Sequence, residues 1–338
     1  MDPHCETSEI TRRRVLSLVT AAAAGCCRGW SQTESESSLQ IDAARPAEAV
    51  AGERSLELRY RVDATVLLLS LPVFRRNAVG NARVAVREIP GRGTRRLAIE
   101  FAAGSDPSRA HGLDRRGWIR EVIVERDGEP VSTAMLGLMS DSPEQSVEQA
   151  RMAFAEQKPE PRFVAIDSSA VSGSTRSRVL HFQQPFSEDD SLDSVRRRFQ
   201  ASAPAWKETA WKGTGSQVPM PFLYALLRAL ERPGRVTQVL YVFNENQYRL
   251  QAESSADFER GRQFVAARLT ESPDQVFRVR ARIENLTRRT HPTQVHLWID
   301  ASASPPCPLR IEFEPRSFVR LTLERCTQVA GSSANEKI

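Results

Sequence analysis

The feature that most constrains the fold is an alternation of apolar and polar side chains with a period of two. It is clearest around Leu56, Leu58 and Tyr60, where charged residues separate the apolar ones. The alternation returns at 97–101, 277–283, 295–299 and 309–313. Successive side chains of a β-strand point to opposite faces of the sheet, so this pattern is typical of strands with one buried face.

Short turns separate these segments. Asp127-Gly128 follows a β-branched run at 118–126 and precedes another apolar segment at 131–138, which is a strong hairpin signal. Residues 90–93 and 244–247 provide similar turns. Because short turns join antiparallel neighbours, we predict a mainly β protein with a few helices. Its form should be a curved antiparallel sheet or an open β-barrel with an inserted α-helical segment.

Three segments predict helices instead. One begins at Ser142-Pro143, where a cap and a first-turn proline precede an apolar stripe, and ends before Pro159. A second opens at Asp190 and ends before Pro204. The third covers 221–230 and is apolar nearly all round, so we expect it to pack beneath the sheet.

The amino-terminal segment resembles a twin-arginine export signal. Arg12 and Arg13 directly precede an apolar run at 15–25, whose 11 residues reach about 16 Å as a helix and cannot span a bilayer. Ala23-Ala24-Gly25-Cys26 then resembles a lipobox, in which Cys26 would be acylated. Ala22-Ala23-Ala24 is an alternative site for ordinary signal peptidase.

The rest of the chain divides by composition. We expect a signal at 1–26, a flexible tether at 27–53, a β-rich domain at 54–329 with an insertion at 130–218, and a disordered tail at 330–338. The formal charge is +5, and arginines alternate with acids along the chain instead of forming one basic tract. A nucleic-acid partner is therefore not expected.

Two cysteines, Cys307 and Cys326, lie near the end of the β-rich domain. An oxidising compartment would permit a disulfide between them. In a regular hairpin, however, Cys307 would share the apolar face with Leu309 and Cys326 would point to the opposite one. Pro306 and Pro308 could change that register, so both alternatives remain open.

Three stretches resemble the exported bacterial family known as domain of unknown function 3108. They are 57–62 with the small residues 79–82, the helix and Pro-Gly turn at 222–234, and the strands at 295–300 and 308–311. The resemblance covers about two-thirds of the chain after the signal, and 130–218 departs from it. It implies an envelope location and a β-rich fold, and it supplies no catalytic residue.

No motif of a zinc protease, a serine hydrolase or a phosphate-binding loop occurs, and no metal site or cofactor is predicted. His296, Trp298 and Asp300 share one strand face and form a candidate surface or ligand site. Arg278, Arg280 and Arg282 form a stripe on another strand. This stripe could meet anionic lipid headgroups or peptidoglycan carboxylates, or pair with acids such as Glu312.

Two hypotheses follow for the function. The first is a non-enzymatic binding or scaffold module, which holds an apolar ligand or an envelope protein on its sheet at the periplasmic face of a bacterial membrane. A lipid anchor would attach it there after transient contact with the twin-arginine export machinery. The second is a hydrolase of a cell-envelope polymer, with His296 beside Asp300 as the general-base candidate.

Overall fold

The computed structural model describes most of the chain between residues 54 and 326. The described residues are 54–68, 71–90, 93–106, 108–110, 116–141, 162–171, 174–182, 192–202, 204–210, 219–231, 233–243, 246–287, 291–303, 305–316 and 319–326. The export signal with Arg12, Arg13 and Cys26, the tether at 27–53, the helix expected from Ser142 and the tail at 330–338 lie outside them.

Strands make up most of the described residues. They are β1 (Arg54–Leu68), β2 (Leu71–Pro90), β3 (Thr94–Ser105), β4 (Arg116–Arg126), β5 (Glu129–Asp141), β6 (Arg162–Val171), β7 (Ser174–Phe182), β8 (Lys207–Ala210), β9 (Thr237–Phe243), β10 (Asn246–Ala256), β11 (Val276–Asn285), β12 (Thr293–Asp300), β13 (Cys307–Arg316) and β14 (Val319–Arg325). The helices are α1 (Leu192–Ser202), α2 (Phe222–Leu230) and α3 (Phe258–Ala266).

These strands form one open antiparallel sheet of 14 strands. Its order is β8-β7-β6-β5-β4-β3-β2-β1-β14-β13-β12-β11-β10-β9, so the first and last of the described strands pair at its middle. Asp127 and Gly128, with φ of 53° and 80°, make the expected hairpin turn between β4 and β5. The prediction of a curved antiparallel sheet or open barrel is confirmed.

Helix α2 shows that the sheet curls around a core. It contacts β3 and β4 as well as β9 and β10, which lie seven or more positions away in the strand order. Across a flat sheet those strands would be at least about 34 Å apart, whereas a helix is only about 10 Å wide. The sheet must therefore bend until its inner face surrounds α2. The main hydrophobic cluster, which includes Tyr224, Tyr241 and Leu297, fills this interior.

A short segment before α2 connects the two sides of the curl. The Met220 carbonyl accepts a hydrogen bond from the Val242 N–H of β9 at 2.9 Å. The Pro219 carbonyl accepts one from the Thr133 hydroxyl of β5 at 3.3 Å. The edge strand β9 is thus linked to β5 through this segment. In the strand order, β6, β7 and β8 continue the sheet beyond β5.

Helices α1 and α3 lie on the outer face. Val195 and Phe199 of α1 pack with Leu136 and Leu138 of β5, as the apolar stripe of the second predicted helix requires. Phe264 of α3 packs with a cluster on β11 to β13. We identified no helix in the sequence at 258–266, because this helix has nine residues and buries little more than Phe264.

The sequence patterns also missed three strands. β6, β7 and β8 lie between 162 and 210, where serines, arginines and threonines obscure the alternation, and they extend the same sheet. Their apolar positions are few, but Val164 and Ile166 of β6 are fully buried against the core. The described part of 130–218 therefore contributes four strands, β5 to β8, in addition to helix α1.

Candidate functional site

The candidate site lies on the outer face of the sheet beneath α3. Trp298 of β12 stands at its centre, with Arg278 of β11 and Arg310 of β13 directly opposite in the two neighbouring strands. We expected this tryptophan among surface residues, but only 4% of it is exposed because α3 covers it. Its indole Nε1 donates a hydrogen bond to Asp257, the residue that caps α3, at 2.9 Å.

Three guanidinium groups surround the indole ring of Trp298. They belong to Arg278, Arg310 and Arg260, at 5.4, 5.7 and 5.8 Å from the ring centroid. Cations at such distances are attracted to the electron-rich face of an aromatic ring. Three positively charged groups therefore lie close together around this ring. The sequence alone shows only that arginines alternate with acids.

The three arginines differ in what else they contact. Arg310 is held by Glu312 at 2.6 Å and by Glu324 at 3.0 Å. Arg260 donates to the neighbouring Gln263 on α3 at 2.6 Å. The Nε atom of Arg278 is buried and has no hydrogen-bond partner among the described residues. Unlike Arg310, neither Arg278 nor Arg260 forms an ion pair with a described residue, so their guanidinium groups are the ones that could bind a further acceptor.

An open cavity of about 390 Å³ adjoins these groups. It is lined by Asp257, Glu259, Arg260, Gln263, Arg278, Trp298 and Glu312. Two of its three acids already have partners, since Asp257 caps α3 and Glu312 binds Arg310. A group entering the cavity would meet the guanidinium groups of Arg260 and Arg278 and the flank of the indole.

His296 lies two residues before Trp298 on β12. Its cross-strand neighbours are Arg280 of β11 and Glu312 of β13. Burial lowers the pKa of its imidazole, and the charge of Arg278 lowers it further. Its Nδ1 is buried without a hydrogen-bond partner in the described part of the chain. Burial and the charge of Arg278 both favour the neutral form of the imidazole.

Asp300 does not act on His296. Its carboxylate accepts the Ser302 N–H at 2.9 Å and the Ser302 hydroxyl at 2.6 Å, and so closes the turn after β12. Residues four positions apart on one strand are about 13 Å apart, so Asp300 lies beyond hydrogen-bond distance of His296. The expected general-base pair is thus not assembled.

The arginine stripe is also divided. Arg280 lies 3.9 Å from Glu253 of β10, and both side chains are mostly exposed. Glu312, which we expected as an acidic partner of the stripe, is bound by Arg310 instead. Arg282 is exposed opposite Gln251 and Gln294, so it lies on the same face but away from the indole.

Cys307 and Cys326 are free thiols in this structure, the first buried and the second exposed. Cys307 packs into the inner cluster of β1 and β14, as its apolar face predicts. The expectation for Leu309 is wrong, because an irregularity in the β12–β13 pairing places it in the outer cluster with Trp298. The irregularity lies at Leu309, next to Pro308, and the two thiols are not bridged.

A second group of buried polar residues lies inside the sheet and was not found in the sequence. Both carboxylate oxygens of Glu121 accept backbone N–H bonds at 2.8 Å, from Leu223 and Tyr224 at the start of α2. Glu125 accepts a very short hydrogen bond from the Tyr224 hydroxyl and pairs with Arg95 at 3.1 Å. Burial raises the pKa of Glu121 from its ordinary 4.5 to about 8, although the backbone bonds oppose this.

These two glutamates are structural in character. Glu121 is completely buried and Glu125 is 2% exposed, so neither can meet a substrate. Their bonds tie β4 to the helix that fills the interior.

One feature of the sequence marks the helix of the outer site. Asp257 is a typical N-cap residue, and an acidic residue such as Glu259, two positions later, is typical of the first turn of a helix.

Two further features, a metal site and a membrane-spanning helix, bear on what the described residues could do. No group of three histidine, cysteine or acidic side chains in the described ranges is placed to hold a metal ion. Within the same ranges, no helix has the length and apolar character needed to cross a bilayer.

No protein-family model matches the chain, and no curated protein matches it. The resemblance to domain of unknown function 3108 therefore stays a prediction. Among solved structures the chain is similar to a β-barrel-like protein of domain of unknown function 1849 from Brucella abortus. The identity is 10% and the TM-score 0.41, over 80% of this chain and 96% of that one.

Proposed function

We propose that this protein is an exported, lipid-anchored envelope protein that acts as a non-enzymatic binding module. Its binding site is the cavity beside Trp298, and its partner carries a carboxylate group. The observation that carries this proposal is the pair of guanidinium groups, from Arg260 and Arg278, that face an open cavity across one indole ring.

The inner face of the sheet supports this choice of site. Helix α2 and the main cluster occupy the interior, and Tyr224, Tyr241 and Leu250 are fully buried there. An apolar ligand on the inner face would have to displace these side chains. The outer face, in contrast, has a cavity that already presents hydrogen-bond donors.

Guanidinium groups favour carboxylates because their planar donors can form two parallel charged hydrogen bonds. Arg260 comes from α3 and Arg278 from β11, so they approach the cavity from two elements. The peptide stems of the cell wall carry carboxylates in the compartment where an exported protein would work. We therefore propose peptidoglycan as the partner.

The binding test uses co-sedimentation of the purified protein with peptidoglycan sacculi. We expect Arg278→Gln to weaken binding about tenfold, the effect of losing one charged hydrogen bond. The matched control is Arg262→Gln, an exposed arginine on α3 that does not line the cavity. Sacculi whose carboxyl groups are blocked as amides should not bind. Equal binding by Arg278→Gln and the parent would overturn the proposed site.

Export and anchoring are tested separately in cells. Changing Arg12 and Arg13 to lysine should retain the protein in the cytoplasm if the twin-arginine route is used. Cys26→Ser should abolish acylation of the protein. Mass spectrometry of protein from native membranes should find the acyl mass on Cys26. A parent chain that carries no lipid would remove the anchor and leave the binding site untouched.

A further inference from the structure

The hairpin between β1 and β2 projects beyond its neighbouring strands. β3 pairs with β2 only from Gly80 to Pro90, and β14 pairs with β1 only as far as Val66. Among the described residues, β1 is therefore the only strand that pairs with 71–79 of β2. The opposite stretch of β1 runs from Val62 to Leu68, so at the usual rise of a strand the segment extends about 20 Å past the end of β3.

The β2 side of the end of this hairpin is apolar and exposed, whereas Leu67 of β1, the partner of Pro72, is buried. Leu71, Val73 and Phe74 are 68%, 58% and 52% exposed, and Pro72 between them is exposed as well. Leu71 and Val73 point to one face of the strand and Phe74 to the other. We call Leu71, Pro72, Val73 and Phe74 the apolar tip. Because the side chains on both of its faces are apolar, the tip differs from a strand that has one buried face and one solvent-exposed face.

Two arginines follow directly behind the apolar tip, and both are fixed. Arg75 donates to the buried carboxylate of Asp63 at 2.8 Å. Arg76 donates to the Arg109 carbonyl at 2.7 Å, and its guanidinium lies 5.7 Å from the centre of the Phe74 ring. The guanidinium of Arg76 therefore lies behind the tip with a neutral carbonyl as its partner, and that of Arg75 lies beside it in an ion pair with Asp63.

Asp63 sets the angle of the projecting segment. It is fully buried and accepts the Ala78 N–H at 2.7 Å in addition to its bonds with Arg61 and Arg75. Ala78 has a φ of 52°, and the β1–β2 pairing shifts register at Val62. Such an irregularity, with charged residues beside it, prevents another strand from adding to this edge. A second copy of the chain is thus a poor occupant.

We propose that the apolar tip inserts into the surface of an anionic lipid bilayer, with Arg75 and Arg76 at the level of the headgroups. An apolar end followed by cations is the arrangement that binds at a membrane interface. The insertion is independent of acylation at Cys26 and of the Trp298 cavity. It would give the domain a second membrane contact and thereby a fixed orientation on the membrane.

The test measures flotation of the full-length chain with vesicles. Cys26→Ser and Cys27→Ser are present in every protein, so that a lipid anchor cannot contribute. Vesicles contain phosphatidylethanolamine with phosphatidylglycerol, or phosphatidylcholine alone. We expect binding to the anionic vesicles, and about tenfold weaker binding to the zwitterionic ones, since each cation near an anionic surface contributes to affinity.

Two triple variants isolate the tip. One changes Leu71, Val73 and Phe74 to serine. The matched control changes the exposed Val236, Phe258 and Leu286 to serine, which removes the same three side-chain types elsewhere. We expect the tip variant to lose binding tenfold or more, because interfacial binding follows buried apolar area, and the control to stay within twofold of the parent.

A single Phe74→Trp variant reports insertion directly. Its added fluorescence should be quenched by brominated lipids more strongly than that of the five native tryptophans. Three results would each overturn the proposal. They are no binding by the parent, equal loss in both triple variants, and a tip variant that changes only the oligomeric state in analytical ultracentrifugation.

Discussion

Helices α2 and α3 have similar lengths but opposite relations to the sheet. Both contain nine residues, and a carboxylate binds the N-terminal amides of each. For α2 that carboxylate is Glu121, which is 102 residues away in the chain and lies on β4. For α3 it is Asp257, the residue that directly precedes the helix.

The difference follows from where each helix lies. Inside the curled sheet no water can reach the first amides of α2, so another element must supply the acceptor. On the outer face α3 caps itself, and the same Asp257 also accepts the indole N–H of Trp298. The cap of the surface helix is adjacent in the sequence and can be recognised there. The cap of the interior helix comes from a distant residue and can be recognised only in the folded structure.

The largest expected effect is on the interior helix. Glu121→Ala removes the acceptor of two buried N–H groups, which should lower the free energy of unfolding by about 3 kcal/mol. Denaturant titration of the purified chain measures this. The control is Glu129→Ala, an exposed glutamate at the start of β5, which should change stability by less than about 0.5 kcal/mol. Equal stability of both variants would show that α2 does not depend on this cap.

The next effect is on pH dependence. The pKa of Glu121 is raised from 4.5 to about 8, so the folded chain holds a proton that the unfolded chain releases. Its contribution to stability is fully present below pH 4.5 and is lost as pH rises toward 8. We expect the unfolding free energy to fall by about 2 kcal/mol between pH 5.5 and 7.5.

Denaturant titrations at several pH values check this slope against Glu121→Gln, which cannot titrate. The parent should lose stability relative to this variant across the window. A parent whose stability rises with pH relative to Glu121→Gln would contradict the buried, protonated state.

The smallest effect is on the outer helix. Asp257→Ala removes one N-terminal cap and the acceptor of the Trp298 indole, at a cost of about 1 kcal/mol. The exposed Asp274, in the turn before β11, provides the control Asp274→Ala. The change in unfolding free energy should be less than half that of Glu121→Ala. A larger loss would mean that the outer helix, and not α2, carries the fold.

Much of the sheet could be predicted from particular residues. The alternation at Leu56–Tyr60 and the turn at Asp127-Gly128 gave correct strands and a correct hairpin. Strands β6 to β8 could not be predicted, because their many serines, threonines and arginines are typical of a loop. The candidate site was found only in part: Trp298 and Arg278 were singled out, but Arg260 and Asp257 come from the helix that the patterns missed.

The sequence by itself determined which side chains face inward and where the chain reverses, because both depend on neighbours two to four residues apart. Only the tertiary structure decided which strands meet, such as β1 with β14, and which faces are then covered. The reason is that pairing and burial join residues hundreds of positions apart. The buried Glu121 and the crowded indole of Trp298 both arise from such pairings, and a local pattern contains no information about either.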